Sequence, residues 1–122
     1  FLSGGIDSSC VASIMQSQST KPINTFTIGF EEKDYNEAHF ASDISKHIGT
    51  HHEEMYISSN DCLNLVPQIS SIMDEPFADS SVLPAYFVSK LARQHVTVCL
   101  SGDGGDELFC GYNRYIMPQR IE

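Results

Sequence analysis

Apolar residues recur along this chain in two alternating rhythms, and the alternation predicts a fold. Cys10, Val11, Ile14 and Met15 keep helical spacing until residues 17–22 interrupt it. Thr25-Phe26-Thr27-Ile28 reads as a short buried strand ended by Gly29. Ala38, Ala41, Ile44 and Ile48 step by three and four, and Gly49 stands where a helix C-terminus wants glycine. Residues 51–57 form a charged strand nearer an edge, with His51 and His52 pointing to opposite faces. Ser59 or Asn60 can cap a third helix carrying Leu63, Val66, Ile69 and Ile72, across which Pro67 is an obstacle. Val82, Tyr86, Ser89 and Ala92, flanked by Leu83, Phe87 and Leu91, predict a fourth helix. Val96-Thr97-Val98-Cys99-Leu100 is the clearest strand of all, and a last helical piece lies near Glu107.

Strand and helix in alternation predict an α/β fold, a parallel sheet covered by helices on both faces. Ligands of such sheets bind at the carboxyl ends of the strands. Only Phe1-Leu2 precedes the first glycine motif, whereas a strand needs about five residues. The expectation is one partial domain over 1–122, truncated at both ends.

Two glycine-rich loops fall where a ligand would sit. In Ser3-Gly4-Gly5-Ile6-Asp7-Ser8-Ser9, glycines permit close backbone approach to an anion, and the helix start presents unpaired N–H groups. The loop lacks the Lys-Ser/Thr of a Walker motif and the spacing of G-x-G-x-x-G. Asp7 repels phosphate unless a divalent cation lies between, which argues for Mg²⁺; equally, Asp7 and the serines suit a helix cap. A Cβ at Gly4 or Gly5 would block phosphate or demand forbidden angles, and apolar Ile6 is expected to turn inward. Ser101-Gly102-Asp103-Gly104-Gly105-Asp106-Glu107 follows the second strand in the same way and misses the calcium-loop spacing. Its acids suit a metal or a substrate, or else a solvated turn. Asp74-Glu75-Pro76-Phe77-Ala78-Asp79-Ser80-Ser81 reads as a functional segment or as a turn with a cap at Ser80 or Ser81.

Composition narrows the classes. The 122 residues carry a net charge of −9, the wrong sign for a nucleic-acid binder, and no apolar run reaches the length of a membrane span. Seven of the sixteen acids lie in the three segments just described, the distribution of a cation-dependent site. Cys10, Cys62, Cys99 and Cys110 form no C-x-x-C pair and read as buried thiols of a reducing compartment, hence the cytoplasm.

These motifs carry a resemblance. Ser3–Ser9 matches the S-G-G-x-D-S loop of the ATP pyrophosphatase group. Together with Thr25–Phe30, Asp74–Ser81 and above all Leu100–Tyr115, it resembles the synthetase domain of glutamine-hydrolysing asparagine synthetases and related amidotransferases. The resemblance implies an adenine nucleotide alpha-hydrolase-like fold. Ser3, Gly4, Gly5, Asp7, Ser8 and Ser9 would hold the pyrophosphate of ATP, and Asp7 and Asp106 would bind Mg²⁺. Leu2, Ile28, Ser101 and Gly102 would line the adenosine side. Asp103 and Asp106 would be the catalytic acids, Asp103 near the acyl-adenylate. Cys110-Gly111 stands where the family has Gly-Gly, and a cysteine there implies ordinary backbone angles.

The implied reaction activates a carboxylate, by family default aspartate, as an acyl-adenylate, then amidates it with ammonia from glutamine. A glutaminase domain is expected on the same full-length polypeptide; the family's downstream lysines are missing here, and Arg114 and Arg120 are the cations near the second loop. A β-lactam-forming or thiolating ligase of the same loop type, or a nucleotide-binding module without turnover, is the rival.

Overall fold

Two seven-residue runs form the strands, β1 (Asn24–Phe30), rich in β-branched and aromatic side chains, and β2 (His51–Ile57), which is mostly charged and polar. They pair in parallel, from Asn24 opposite His51 to Phe30 opposite Ile57. Parallel pairing requires a crossover, and α2 (Ala38–Ile48) lies within it. The computed structural model describes residues 1–32, 36–75, 78–112 and 115. The remaining helices are α1 (Ile6–Ser17), α3 (Ser59–Ile72), α4 (Val82–Ala92) and α5 (Gly105–Phe109).

Alternation along β1 divides the core. On one face Leu2, Ala12 and Ala41 pack with Ile23, Ile44 and Ile48, so α1 and α2 cover it. On the other, Phe26, Leu91 and Ala92 pack with Met55, Val88, Val96 and Cys99, which brings in α4. The expected sheet covered on both faces is present. Leu2 and Phe26 are fully buried, each stabilising by roughly 1.5–3 kcal/mol relative to exposure. The Leu2 amide donates to the Phe26 carbonyl at 3.0 Å, and Thr27 Oγ1 donates to the Leu2 carbonyl at 2.6 Å. These two bonds hold the start of the first glycine loop beside β1.

Several sequence expectations are corrected. Val96–Leu100 forms no strand: the Phe1 nitrogen donates to the Leu100 carbonyl at 2.6 Å, but no ladder develops, and Val98 and Leu100 are exposed. An apolar run becomes a strand only where a partner backbone meets it. Helix α1 buries Ser8 and Ala12, while Cys10, Ile14 and Met15 face outward. In α3, Leu65 is buried and Leu63, Val66 and Ile72 are exposed. That helix is capped by Ser58, not Ser59 or Asn60: Ser58 and Asp61 form a reciprocal capping box, and the helix runs through Pro67. Gly49 closes α2 in the left-handed conformation, as its place in the sequence predicts. The cysteines are free thiols, and Cys10 and Cys110 are exposed rather than buried. Cys110 adopts φ 58°, the left-handed region, because the turn after α5 needs it whatever residue is present. Replacing Cys110 by Gly relieves about 1–2 kcal/mol of strain, partly offset by the greater unfolded freedom of glycine. Denaturant titration is expected to show a net gain of about 0.5–1 kcal/mol.

Between α2 and the sheet lies a hydrogen-bond relay whose directions are fixed by proton count. Thr50 donates its single hydroxyl proton to Ser45 at 2.9 Å. Thr25, 2.8 Å from Thr50, must therefore be the donor in that contact. Its oxygen is left to accept from His52 Nδ1 at 2.9 Å. Neutral His52 thus carries its proton on Nδ1, and its side chain is 8% exposed. Nε2 finds no hydrogen-bond partner among the described residues and lies 3.7 Å from Glu54 Oε1. Burial lowers the His52 pKa below its ordinary 6.5, with Lys46 adding to the shift and Glu54, hydrogen bonding to the Thr25 backbone, and Glu53 opposing it. The unfolded chain then binds the extra proton first, so stability is complete above the ordinary histidine value and falls as pH drops through the folded one. Thermal melts from about pH 8 to about pH 5 are expected to show that fall, and His52→Gln to diminish it. Nitrogen-15 imidazole shifts of neutral His52 should report the Nδ1–H tautomer.

Candidate functional site

The first loop enters α1 with its hydroxyls already committed. Ser8 is buried; its Oγ accepts from the Ser3 amide at 3.2 Å, lies 2.9 Å from Ser3 Oγ and donates to the Gly5 carbonyl at 3.2 Å. Ser9 Oγ donates to the same carbonyl at 2.6 Å. The two glycines divide their work. Gly4 takes φ 87°, and a Cβ there would stand 2.8 Å from Phe40 Cβ and 3.0 Å from the Ala41 amide, so it serves the turn and the packing on α2. Gly5 has the ordinary N-cap angles φ −75° and ψ 164°, and a Cβ would meet Ser3 Oγ at 3.3 Å. Space beside Gly5 opens into the cavity. Ile6 does not turn inward: it is 87% exposed. Ser8 occupies the inward position, and a residue two places earlier points to roughly the opposite side of a helix.

The second loop is seated on the first. A Cβ at Gly102 would lie 2.8 Å from the Ser8 amide nitrogen, and one at Gly105 would lie 2.5 Å from Asp7 Cγ. Gly104 makes the intervening turn with φ 89°. Ser101 Oγ donates to Asp103 Oδ2 at 2.9 Å, which folds the exposed Asp103 side chain over its own loop. The Gly111 amide donates to the Asp106 carbonyl at 3.0 Å and closes α5.

Where the loops meet, a cavity of about 890 Å³ opens. Of the residues expected in a site, Leu2, Ser3, Gly5, Asp7, Ser8, Ile28, Ser101, Gly102, Asp103 and Asp106 line it. Gly4 and Ser9 stand behind the lining, Gly4 against α2 and Ser9 turned to the Gly5 carbonyl. Phe26, Ile28, Pro84, Ala85 and Val88 give it an apolar wall, and its lining also carries Ser3, Asp7, Ser8, Glu37, Asp103 and Asp106. No Lys or Arg occurs among the described lining residues. Asp7 and Asp106 suit a small hard cation that keeps water or phosphate oxygens in its remaining positions. Among the described residues no group of three or more His, Cys, Asp or Glu gathers as a metal cage.

Sequence reasoning missed Phe30, Glu37, Pro84, Ala85, Val88 and Phe109 as lining residues. Helical spacing marks α4 as apolar but does not say that part of its face borders a cavity. Of the 74–81 segment, Ser81 reaches the lining. Ser81 is the N-cap residue of α4, as expected, but caps without a side-chain bond; its own amide donates to Asp79 Oδ1 at 2.8 Å and holds that carboxyl below the ordinary range. Pro76, Phe77, Arg114 and Arg120 lie outside the described residues.

A sequence model described as asparagine synthase matches residues 1–122, the whole chain. The chain belongs to the asparagine synthase family. Asparagine synthetase 1 (glutamine-hydrolysing) of Bacillus subtilis is 42% identical over 122 residues, which is 100% of this chain and 19% of that protein. A Methanocaldococcus jannaschii protein with the provisional name asparagine synthetase 2, glutamine-hydrolysing, is 43% identical over 123 residues, covering 100% of this chain and 24% of its own length. The human glutamine-hydrolysing asparagine synthetase is 32% identical over 121 residues, 91% of this chain and 21% of that one. The chain thus spans about a fifth to a quarter of the length of the curated relatives it matches. Among the described residues no helix is long and apolar enough to cross a membrane.

In this asparagine synthase family chain the two glycines and Ile6 separate three effects. Gly5→Ala, at ordinary backbone angles beside the cavity, is expected to retain the fold and, by filling space next to the first turn of α1, to weaken the binding of a phosphate ligand such as ATP in titration calorimetry. Gly4→Ala is expected to lower stability, since a Cβ there meets both a left-handed backbone and α2. Ile6→Ala, at an exposed position, should change stability by no more than about 0.5 kcal/mol in thermal melts.

Proposed function

We propose that this chain is the nucleotide-binding part of an ATP-dependent ligase that turns a carboxylate into an amide, with aspartate as the leading substrate by family default. The observation that carries the reading is the seating of the two glycine loops on each other, which brings Asp7, Asp103 and Asp106 to one cavity with an apolar wall. An adenine ring suits the wall formed by Phe26, Ile28 and α4, and phosphates suit the open start of α1. Carboxylates facing phosphates require a cation between them. Asp7 and Asp106 would hold Mg²⁺, which would supply the positive charge that neutralises pyrophosphate oxygens.

The chain's own residues orient and restrain. Gly5 leaves room for phosphate oxygens beside the first-turn amides of α1. Ser3 and Ser8, bonded to each other, keep the loop in one shape. Leu2, Ile28, Ser101 and Gly102 bound the adenosine side, and Asp103 stands where the acyl group would form. A substrate carboxylate oxygen attacks the α-phosphorus, the bond to the pyrophosphate oxygen breaks, and an acyl-adenylate results. Ammonia then displaces AMP. The contribution is positioning and charge compensation more than acid–base catalysis. Ammonia from glutamine implies a glutaminase domain on the same full-length polypeptide, working in the cytoplasm.

Asp7→Asn and Asp106→Asn in the full-length polypeptide are expected to lower carboxylate-dependent ATP–pyrophosphate exchange by about a hundredfold or more, with cooperative unfolding retained. Unchanged exchange and unchanged Mg²⁺ dependence in both variants would defeat the metal assignment. Exchange driven by another carboxylate instead of aspartate would point to a β-lactam-forming relative, and ATP binding without any exchange to a module that does not turn over.

A further inference from the structure

Glycine at 105 and 111 is not demanded by the backbone. The glycines with positive φ are Gly4, Gly49 and Gly104; Gly105 and Gly111 adopt angles open to other residues. What surrounds their missing side chains is a carboxylate in each case. A Cβ at Gly105 would stand 2.5 Å from Asp7 Cγ and 2.6 Å from Asp7 Oδ2. A Cβ at Gly111 would collide with Asp106 Oδ1 and lie 2.9 Å from Asp106 Cγ. Gly104, in the same loop, is the reverse: φ 89°, and nothing within 4 Å of its Cβ position.

We infer that Gly105 and Gly111 are positioning residues, each providing a side-chain-free seat for one carboxylate of the cavity, Gly105 for Asp7 and Gly111 for Asp106. At Gly111 a methyl group meets the carboxylate first, with Asp106 Cα 3.2 Å away, and at Gly105 it would also lie 2.9 Å from Asp7 Cβ. A new rotamer at Asp106 and a small shift of the whole Asp7 side chain therefore displace the carboxylates while the loop's backbone angles stay allowed. The two seats lie on one short stretch of chain around α5, so the relative placement of carboxylates ninety-nine residues apart is set by a single loop. The inference rests on the proposed metal role of Asp7 and Asp106.

The test uses Mn²⁺ as the probe, its binding to the full-length polypeptide measured by electron paramagnetic resonance in the presence of ATP, alongside thermal melts. Gly105→Ala and Gly111→Ala should each fold and lose about tenfold or more in Mn²⁺ affinity, the scale seen when groups that orient metal ligands are altered. Gly104→Ala should instead lower the melting temperature and keep Mn²⁺ affinity. In an Asp106→Asn background, Gly111→Ala should cost no further affinity, because its effect runs through the missing carboxylate. Additive losses in that pair, or unaltered Mn²⁺ affinity in either folded alanine variant, would overturn the inference. So would loss of cooperative unfolding in both, which would make these glycines requirements of the fold. If Asp7→Asn and Asp106→Asn themselves leave Mn²⁺ affinity intact, the metal reading fails first and separately.

Discussion

Close approach between two backbones organises this molecule. The loop of residues 101–105 comes so near the start of α1 that a single carbon atom at Gly102 would fall 2.8 Å from the Ser8 amide nitrogen. Backbone cannot swing aside as the end of a long side chain can, so only a residue without Cβ permits the contact. Once it is made, residues at opposite ends of the chain share one cavity, and carboxylates from both loops face the same space. The apolar wall comes from β1 and α4, which the burial of Phe26, Leu91 and Ala92 brings together.

Charge explains why this contact carries chemical consequence. A cavity floored by glycines at a helix start invites phosphate, yet its lining is acidic and holds no cationic side chain among the described residues. In the proposed reading the two properties together call for a component of positive charge, and the donor chemistry of Asp7 and Asp106 suits a hard cation with few protein ligands. The asparagine synthase family membership of the chain and the geometry of its loops therefore lean on each other without either replacing the other.

Away from the cavity, the relay from Ser45 through Thr50 and Thr25 to His52 ties α2 to both strands. Its stability follows from proton count: each hydroxyl has one proton to give, and the order of giving leaves a bare imidazole nitrogen beside Glu54. Burying that nitrogen makes a charge there expensive. The same α2 presses on Gly4 at its other end, so the helix that crosses between the strands also steadies the first loop.

Much of this was legible in the residues themselves. The rhythm of Ala38, Ala41, Ile44 and Ile48 placed α2, Gly49 closed it, and the run Thr25-Phe26-Thr27-Ile28 placed β1, though the strand continues through Gly29 to Phe30. The S-G-G-x-D-S and S-G-D-G-G-D-E runs marked the loops that line the candidate site, since glycine density and unbalanced acid charge are visible without coordinates. What no local pattern holds is what each surface meets. Val96–Leu100 had every property of a strand and lacked a ladder partner. Ile6 was apolar and faced outward, because Ser8 occupied the inward position. Cys110 took left-handed angles against its own preference, as the turn at the end of α5 prevailed. Nothing in the motif set Gly105 and Gly111 apart from the glycines beside them, yet a Cβ at either position would collide with Asp7 or Asp106. Periodicity and composition are written along the chain, whereas steric exclusion between distant residues exists only after the chain has folded.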